Sequence, residues 1–190
     1  MSDIKHKIKD SLIELLNSKP MDKITVKEIS ELCNISRQTF YYHFNDIYDI
    51  ARQIFAETSK HAMQSFVEED DWSTGYMRMM TWCRKNKNFI VTTYKSNFGH
   101  ILVDNMNMAV YQDLLNLLKR TGKDLKITEE QYQFIAKFYA SALIFITIDW
   151  IKNDMQEDPN KIINNLYLLV GEDFHHILTR YDTVNKSKTL

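Results

Sequence analysis

The 190-residue sequence is 44% hydrophobic, enough to bury a substantial core in one or two domains, and its four glycines and two prolines leave few breaks for a strand-and-turn fold. Lys and Arg number 24 against 25 Asp and Glu, a formal net charge of -1 that excludes a global pull toward nucleic acid. Any affinity for DNA has to come from a local patch, for which Lys5, Lys7, Lys9, Lys27 and Arg37 are the candidates.

The opening MSDIKHKIKD lacks an apolar stretch of signal-peptide length, and no uninterrupted run reaches the roughly 18 residues that span a bilayer, so a cytoplasmic protein is expected. Cys33 and Cys83 sit in helical patterns with no CxxC spacing, which suits buried thiols in a reducing compartment. No long Val/Ile/Thr alternation appears anywhere, and the fold class read from the chain is all-α.

Ile8, Leu12, Leu15 and Leu16 stripe a first helix that stops around Asn17-Ser18 before Pro20. Thr25 then caps a short second helix on which Val26, Ile29 and Cys33 share one side, and Glu28 completes a capping box. Asn34-Ile35-Ser36 breaks the pattern, because Asn tolerates the left-handed conformation that ends a helix and Ser36 can cap the next. In the third helix, Arg37 to about His43, Phe40 and Phe44 face the core with Ile24, Val26, Ile29 and Ile35. Two short helices joined by a three-residue turn make a helix-turn-helix.

Around the rest of the third helix lie Arg37, Gln38, Thr39, Tyr41, Tyr42 and His43. Arg forks onto guanine, Gln pairs with adenine and a Thr methyl packs on thymine, so the N-terminal end carries base-reading chemistry. Tyr41, Tyr42, His43 and the hydroxyls of Thr25 and Ser36 suit phosphate contacts, which fix register without reading sequence.

ITVKEISELCNI followed by SRQTFYYHFND resembles the DNA-binding signature of the TetR/AcrR transcriptional regulators. The resemblance implies that Arg37, Gln38 and Thr39 face bases while Thr25, Tyr41, Tyr42 and His43 hold the phosphate backbone of double-stranded DNA. TFYYHF with Asp-x-Tyr-Asp after it is also similar to the branch that includes the activator of dihydroxyacetone kinase genes. Two positions depart from the family pattern: Asn34 replaces a common turn glycine, and Ile47 replaces a lysine that meets a phosphate at the start of the fourth helix.

Asn45 or Asp46 caps that fourth helix, whose stripe Ile47, Ile50, Ala51, Ile54, Phe55, Thr58, Ala62 and Phe66 runs without a linker into the rest of the chain. The division expected is a helix-turn-helix domain with its linking helix over 1–62 and a helical ligand-binding and dimerisation domain over 63–190. Glu68-Glu69-Asp70-Asp71 reads as a loop, Trp72 to Cys83 as a helix, 84–88 as a polar loop, and Phe89 to about Ser96 as a short helix. Ile101 to Lys119 is strongly helical and ends near Gly122. Thr128 to Gln131 is a second capping box, opening a helix to about Asn153 that is apolar on almost every side. Asp158-Pro159 starts a last helix striped from Ile162 to Tyr181. The last two helices, about 128–153 and 158–181, read as the homodimer interface, a placement that the resemblance shares.

Trp72, Tyr76, Met80, Tyr94, Phe98, Met108, Tyr111, Phe138 and Tyr139 are the candidates for an effector pocket, which the resemblance places in the central helices and which suits a small apolar or aromatic ligand. His175 and His176 point about 100° apart on a helix and do not make a chelating pair, so no metal is expected. No catalytic triad, phosphate-cradling glycine loop or cofactor motif is present, and no enzyme activity or cofactor is expected. The function read here is a ligand-responsive regulator that binds a palindromic operator as a homodimer. The alternative is a dimeric small-molecule-binding or co-regulatory protein that has lost specific DNA binding.

Overall fold

The computed structural model describes residues 2–66, 72–171 and 174–187, so the acidic run at 68–71 lies outside the described residues. Regular structure among them is helical throughout, as the composition requires. The elements are α1 (Ser2–Leu16), a 3-10 turn (Met21–Lys23), α2 (Val26–Cys33), α3 (Arg37–His43), α4 (Ile47–Phe66), α5 (Trp72–Lys85), α6 (Lys87–Lys95), α7 (Gly99–Thr121), α8 (Glu129–Lys152), α9 (Pro159–Val170) and α10 (His175–Ser187). The chain forms two compact units, one of Met1–Thr58 with Asn86–Asn105 and one of Ser59–Lys85 with Met106–Leu190.

In the first unit Ile8, Leu12 and Leu16 of α1 meet Ile24, Ile29, Phe40, Phe44, Ile47 and Ile50 in a dry core, and Met21 of the 3-10 turn closes it. Val26 and Ile35, expected in this core, are only half-buried. One correction concerns charge: Lys9 is not a surface cation but is 6% exposed, its ammonium paired with Glu57 of α4. A lysine one position along from Ile8 falls on the buried side of α1, and only a carboxylate partner makes that position tolerable. The polar loop expected over 84–88 is instead a break at Asn86 alone, from which α6 returns to the first unit. Asn88 of α6 donates to Asn17 at 3.0 Å, and α6 packs on α1.

In the second unit α5 packs against α9. The indole N–H of Trp72 donates to the Gly171 carbonyl at 3.0 Å, tying the start of α5 to the end of α9. Tyr76 places its hydroxyl 3.0 Å from the Leu143 carbonyl and 2.8 Å from Thr147 Oγ1, both on α8. Burial of that phenol pushes its pKa up to about 12, so it stays neutral and available as a donor. Gly122, just past the end of α7, has no room for a side chain: the Tyr132 hydroxyl, donating to its carbonyl at 2.9 Å, stands 2.4 Å from where a Cβ would be.

The last helix is not continuous to Tyr181, which corrects the sequence expectation. Gly171, at φ +83°, ends α9, and after Phe174 a separate α10 begins. The apolar stripe bridged two helices because Phe174 and Leu178 are buried, as a continuation of α9 would bury them. α10 docks through Asp182, whose carboxylate accepts from the Lys126 amide at 2.8 Å and from the Lys186 ammonium at 2.6 Å. Asn185 donates to Gln131 Oε1 at 2.8 Å, and Tyr139 meets the Phe174 ring edge-on with centroids 4.9 Å apart.

α8 has the length and composition to cross a membrane, yet 44% of its most apolar stretch is buried inside the protein. Its outward side is also apolar: Phe134, Phe138 and Phe145 are exposed on one stripe, bordered by Lys137 and Asp149.

Removing the Tyr76 hydroxyl tests the α5–α8 link. Tyr76→Phe leaves Thr147 bonded to the Leu143 carbonyl and is expected to cost about 1 kcal/mol in urea unfolding. No change would mean that the bond adds nothing net.

Candidate nucleic-acid interface

The presentation of α3 follows from three local devices. Thr25 Oγ1 accepts from the Glu28 amide at 3.3 Å while Glu28 Oε2 accepts from the Thr25 amide at 3.0 Å, the reciprocal capping box that starts α2. Asn34 ends α2 in the left-handed region at φ 54° and ψ 49°, and the Ile35 amide reaches back to the Ser30 carbonyl at 2.9 Å. Ser36 Oγ then accepts from the Thr39 amide at 3.0 Å and starts α3. Phe40 and Phe44 anchor α3 to the core, with Phe40 fully buried.

This anchoring turns Arg37, Gln38, Tyr41 and Tyr42 outward as exposed residues, with Thr39 and His43 half-buried at the edges. The Arg37 and Gln38 side chains form no hydrogen bond or ion pair among the described residues, so both are open to an external partner. Tyr41 stands edge-on to Phe40 at 5.5 Å, and Tyr42 edge-on to His43 at 5.0 Å, which holds the aromatic rings in place.

Two expected phosphate contacts sit differently. Both protons of Thr25, amide and hydroxyl, go to Glu28 Oε2, the hydroxyl at 2.8 Å, so Thr25 has no free donor in this arrangement. Ser36 and Thr39 share a hydroxyl–hydroxyl bond at 2.9 Å. Ile47 is part of the core and offers nothing to a phosphate, and next to it Asp46 accepts from the Asp49 amide at 2.6 Å to start α4. Lys27 is exposed but lies 3.8 Å from Glu31. Asp22, which the sequence did not single out, accepts from the Asn97 amide at 3.4 Å and from the Tyr48 hydroxyl at 3.5 Å, and Tyr48 stacks on Phe98. Partners this far apart in sequence leave no local signal.

The nine candidate ligand residues do not share one environment. Trp72, Tyr76 and Met80 are buried in the second unit, with Tyr111 and Tyr139 half-buried there. Tyr94 and Phe98 belong to the first unit. Met108, 74% exposed, and Phe138, on the open stripe of α8, are placed at the surface and not in an interior, because their helices turn Met106, Val110, Ile135 and Ala136 inward instead. No group of three metal-ligating side chains occurs among the described residues.

A helical head that projects an unengaged Arg-Gln face from a capped turn defines a helix-turn-helix DNA-binding protein. Family models agree over most of the chain: residues 8–54 match the bacterial regulatory proteins of the tetR family, and residues 70–171 match a transcriptional regulator C-terminal region of the TetR group. The chain belongs to the TetR family of transcriptional regulators. No curated protein matches it in sequence. Among solved structures it is similar to the dihydroxyacetone kinase operon activator DhaS, with 19% identity, 88% of this chain and 93% of that one covered, and a TM-score of 0.65. It is similar also to the fatty acid degradation regulator FadR from Bacillus halodurans, with 12% identity, 88% and 94% covered, and a TM-score of 0.64. A third is NalD, the secondary repressor of the MexAB-OprM multidrug efflux pump in Pseudomonas aeruginosa, with 9% identity, 87% and 92% covered, and a TM-score of 0.61. At these identities the likeness is one of fold.

The capping box carries a pH signature. Hydrogen bonds from Lys19 and Thr25 pull the Glu28 pKa from 4.5 down to about 2. A depressed carboxyl pKa stabilises the folded state above the unfolded value and loses that contribution as pH falls through the folded one. The melting-temperature gap between wild type and Glu28→Ala is therefore expected to be constant at neutral pH and to shrink between pH 4.5 and about 2. A gap that persists unchanged at the acid end would show that charge on Glu28 plays no part.

Proposed function

We propose that the protein is a ligand-responsive transcriptional regulator that binds a palindromic operator as a homodimer, with Arg37, Gln38 and Thr39 reading bases and Tyr41, Tyr42, His43 and Ser36 positioned for the phosphate backbone. The observation that carries this reading is the outward, unengaged face of α3 beside fully used caps. Such a regulator works in the cytoplasm, and its effector is a small apolar or aromatic molecule held in the second unit.

The dimer is supported by two open apolar faces. Phe145 on α8 is 73% exposed, and Leu168 and Leu169 on α9 are 84% and 83% exposed. Monomeric proteins rarely leave large apolar patches in water. Pairing α8 and α9 of two copies about a two-fold axis buries both, and Lys137 and Asp149 at the border stay wet, which a lipid-facing stripe would not allow. A homodimer that reads the two halves of a palindrome needs its two copies of α3 about one DNA turn, roughly 34 Å, apart.

Three observations favour a second reading, a dimeric co-regulatory protein that has lost specific DNA binding: Ile47 is in the core, Thr25 has no free proton and Lys9 is sequestered. An electrophoretic shift with DNA from upstream of the chain's own gene separates the two. The regulator reading expects a specific complex that Arg37→Ala weakens roughly tenfold to a hundredfold. Absence of any complex with genomic fragments at low salt supports the second reading.

For the dimer, sedimentation equilibrium is expected to give twice the 22.6 kDa chain mass for wild type and a folded single chain for Phe145→Glu combined with Leu168→Glu. A double variant that keeps the wild-type mass would place the interface elsewhere.

A further inference from the structure

Three donors from two parts of the head converge on one carboxylate. Glu28 Oε2 accepts from the Thr25 amide at 3.0 Å and from the Thr25 hydroxyl at 2.8 Å, while Oε1 accepts from the ammonium of Lys19, which lies between α1 and the 3-10 turn. Capping α2 does not require this charge. At the start of α8 the same reciprocal box is closed by a neutral amide, with Gln131 Oε1 accepting from the Thr128 amide at 2.9 Å. The Glu28 side chain is also 37% exposed, so it can rotate off its partners without opening the core. When it leaves, the cap survives, because Thr25 Oγ1 still accepts from the Glu28 amide. A helix-turn-helix lays its first helix across the phosphate backbone, and α2 is that helix. A carboxylate there repels the duplex and occupies the lysine beside it.

We infer that Glu28 is an internal competitor for a DNA phosphate: its two oxygens stand where those of a phosphodiester bind, and the duplex displaces it to take over Lys19 and both Thr25 protons. This rests on the DNA-binding part of the reading above. To such donors carboxylate and phosphate are alike, since each presents charged oxygens that accept charge-assisted hydrogen bonds. Every bond gained by the phosphate is one lost by Glu28, so the wild-type head gains less from Lys19 and Thr25 than their chemistry allows. Glu28 is thus a positioning residue that acts through Lys19 and Thr25. The contact carries no base information and scales affinity for all sequences alike, leaving the choice of sequence to the face of α3.

Fluorescence anisotropy with the full-length protein tests this on two duplexes, one from upstream of the chain's own gene and one of arbitrary sequence, over a series of salt concentrations. Glu28→Gln is expected to bind both duplexes about threefold to tenfold more tightly than wild type, and Glu28→Ala to change affinity in the same direction. Lys19→Ala is expected to cost little in the wild-type background but about tenfold in Glu28→Gln, where it also lowers the salt slope by about one. Unchanged or weaker binding by both Glu28 variants overturns the inference. An equal cost of Lys19→Ala in the two backgrounds overturns it as well, since Glu28 then acts only as a distant charge or a cap. A specific wild-type complex that neither Glu28 variant tightens removes this inference and keeps the regulator, whereas tighter binding by Glu28→Gln without any preference for the upstream duplex removes only the regulator. No binding of either duplex by any of these proteins at low salt removes both.

Discussion

The conformation of Asn34 is the constraint on which the rest depends. With φ at 54°, this residue stops α2 and reverses the chain within three residues, so that Ser36 starts α3. A residue with a branched β-carbon would strain there, and glycine would give up the side-chain preference that helps define the turn. Because α2 begins on a capping box and α3 on a serine cap, both ends of the turn are hydrogen-bonded and the bend is set by local chemistry. Phe40 and Phe44 then only have to enter the core for the opposite face of α3 to point outward.

The second unit solves a different problem. α8 presents apolar side chains on both sides; its buried side is tied to α5 through Tyr76 and to α10 through Asn185, while Trp72 ties α5 to the end of α9. Polar atoms are used there to lock neighbouring helices in register, while the aromatic stripe of Phe134, Phe138 and Phe145 stays exposed. That exposed stripe is a departure from what a self-sufficient core would choose.

Legibility in the sequence followed the range of the interactions. The caps at Thr25, Asn34, Ser36 and Thr128 involve residues within four positions of one another, and the sequence names them correctly. Helix α4 also matches its expected span to Phe66, since its stripe is strictly periodic. Periodicity failed where two helices happen to keep phase across a break, as at Gly171, where Phe174 resumes the pattern. It failed again where charge is buried by a distant partner: Lys9 needs Glu57, 48 residues away, and nothing near Lys9 announces it. Asp22 joins Asn97 and Tyr48 in the same fashion. Aromatic and Met content located the interior of the second unit only in part, because α8 turns Phe138 outward with the same spacing that turns Ile135 inward.

The withdrawal of Lys9 into the α1–α4 contact, together with the Lys27–Glu31 pair, leaves the head with few uncommitted ammonium groups. For a head that reads duplex DNA, each missing phosphate contact is one fewer condensed counterion released on association. Random sequence would then hold such a protein only briefly, and its search of the chromosome would proceed by short hops through solution in place of long one-dimensional slides.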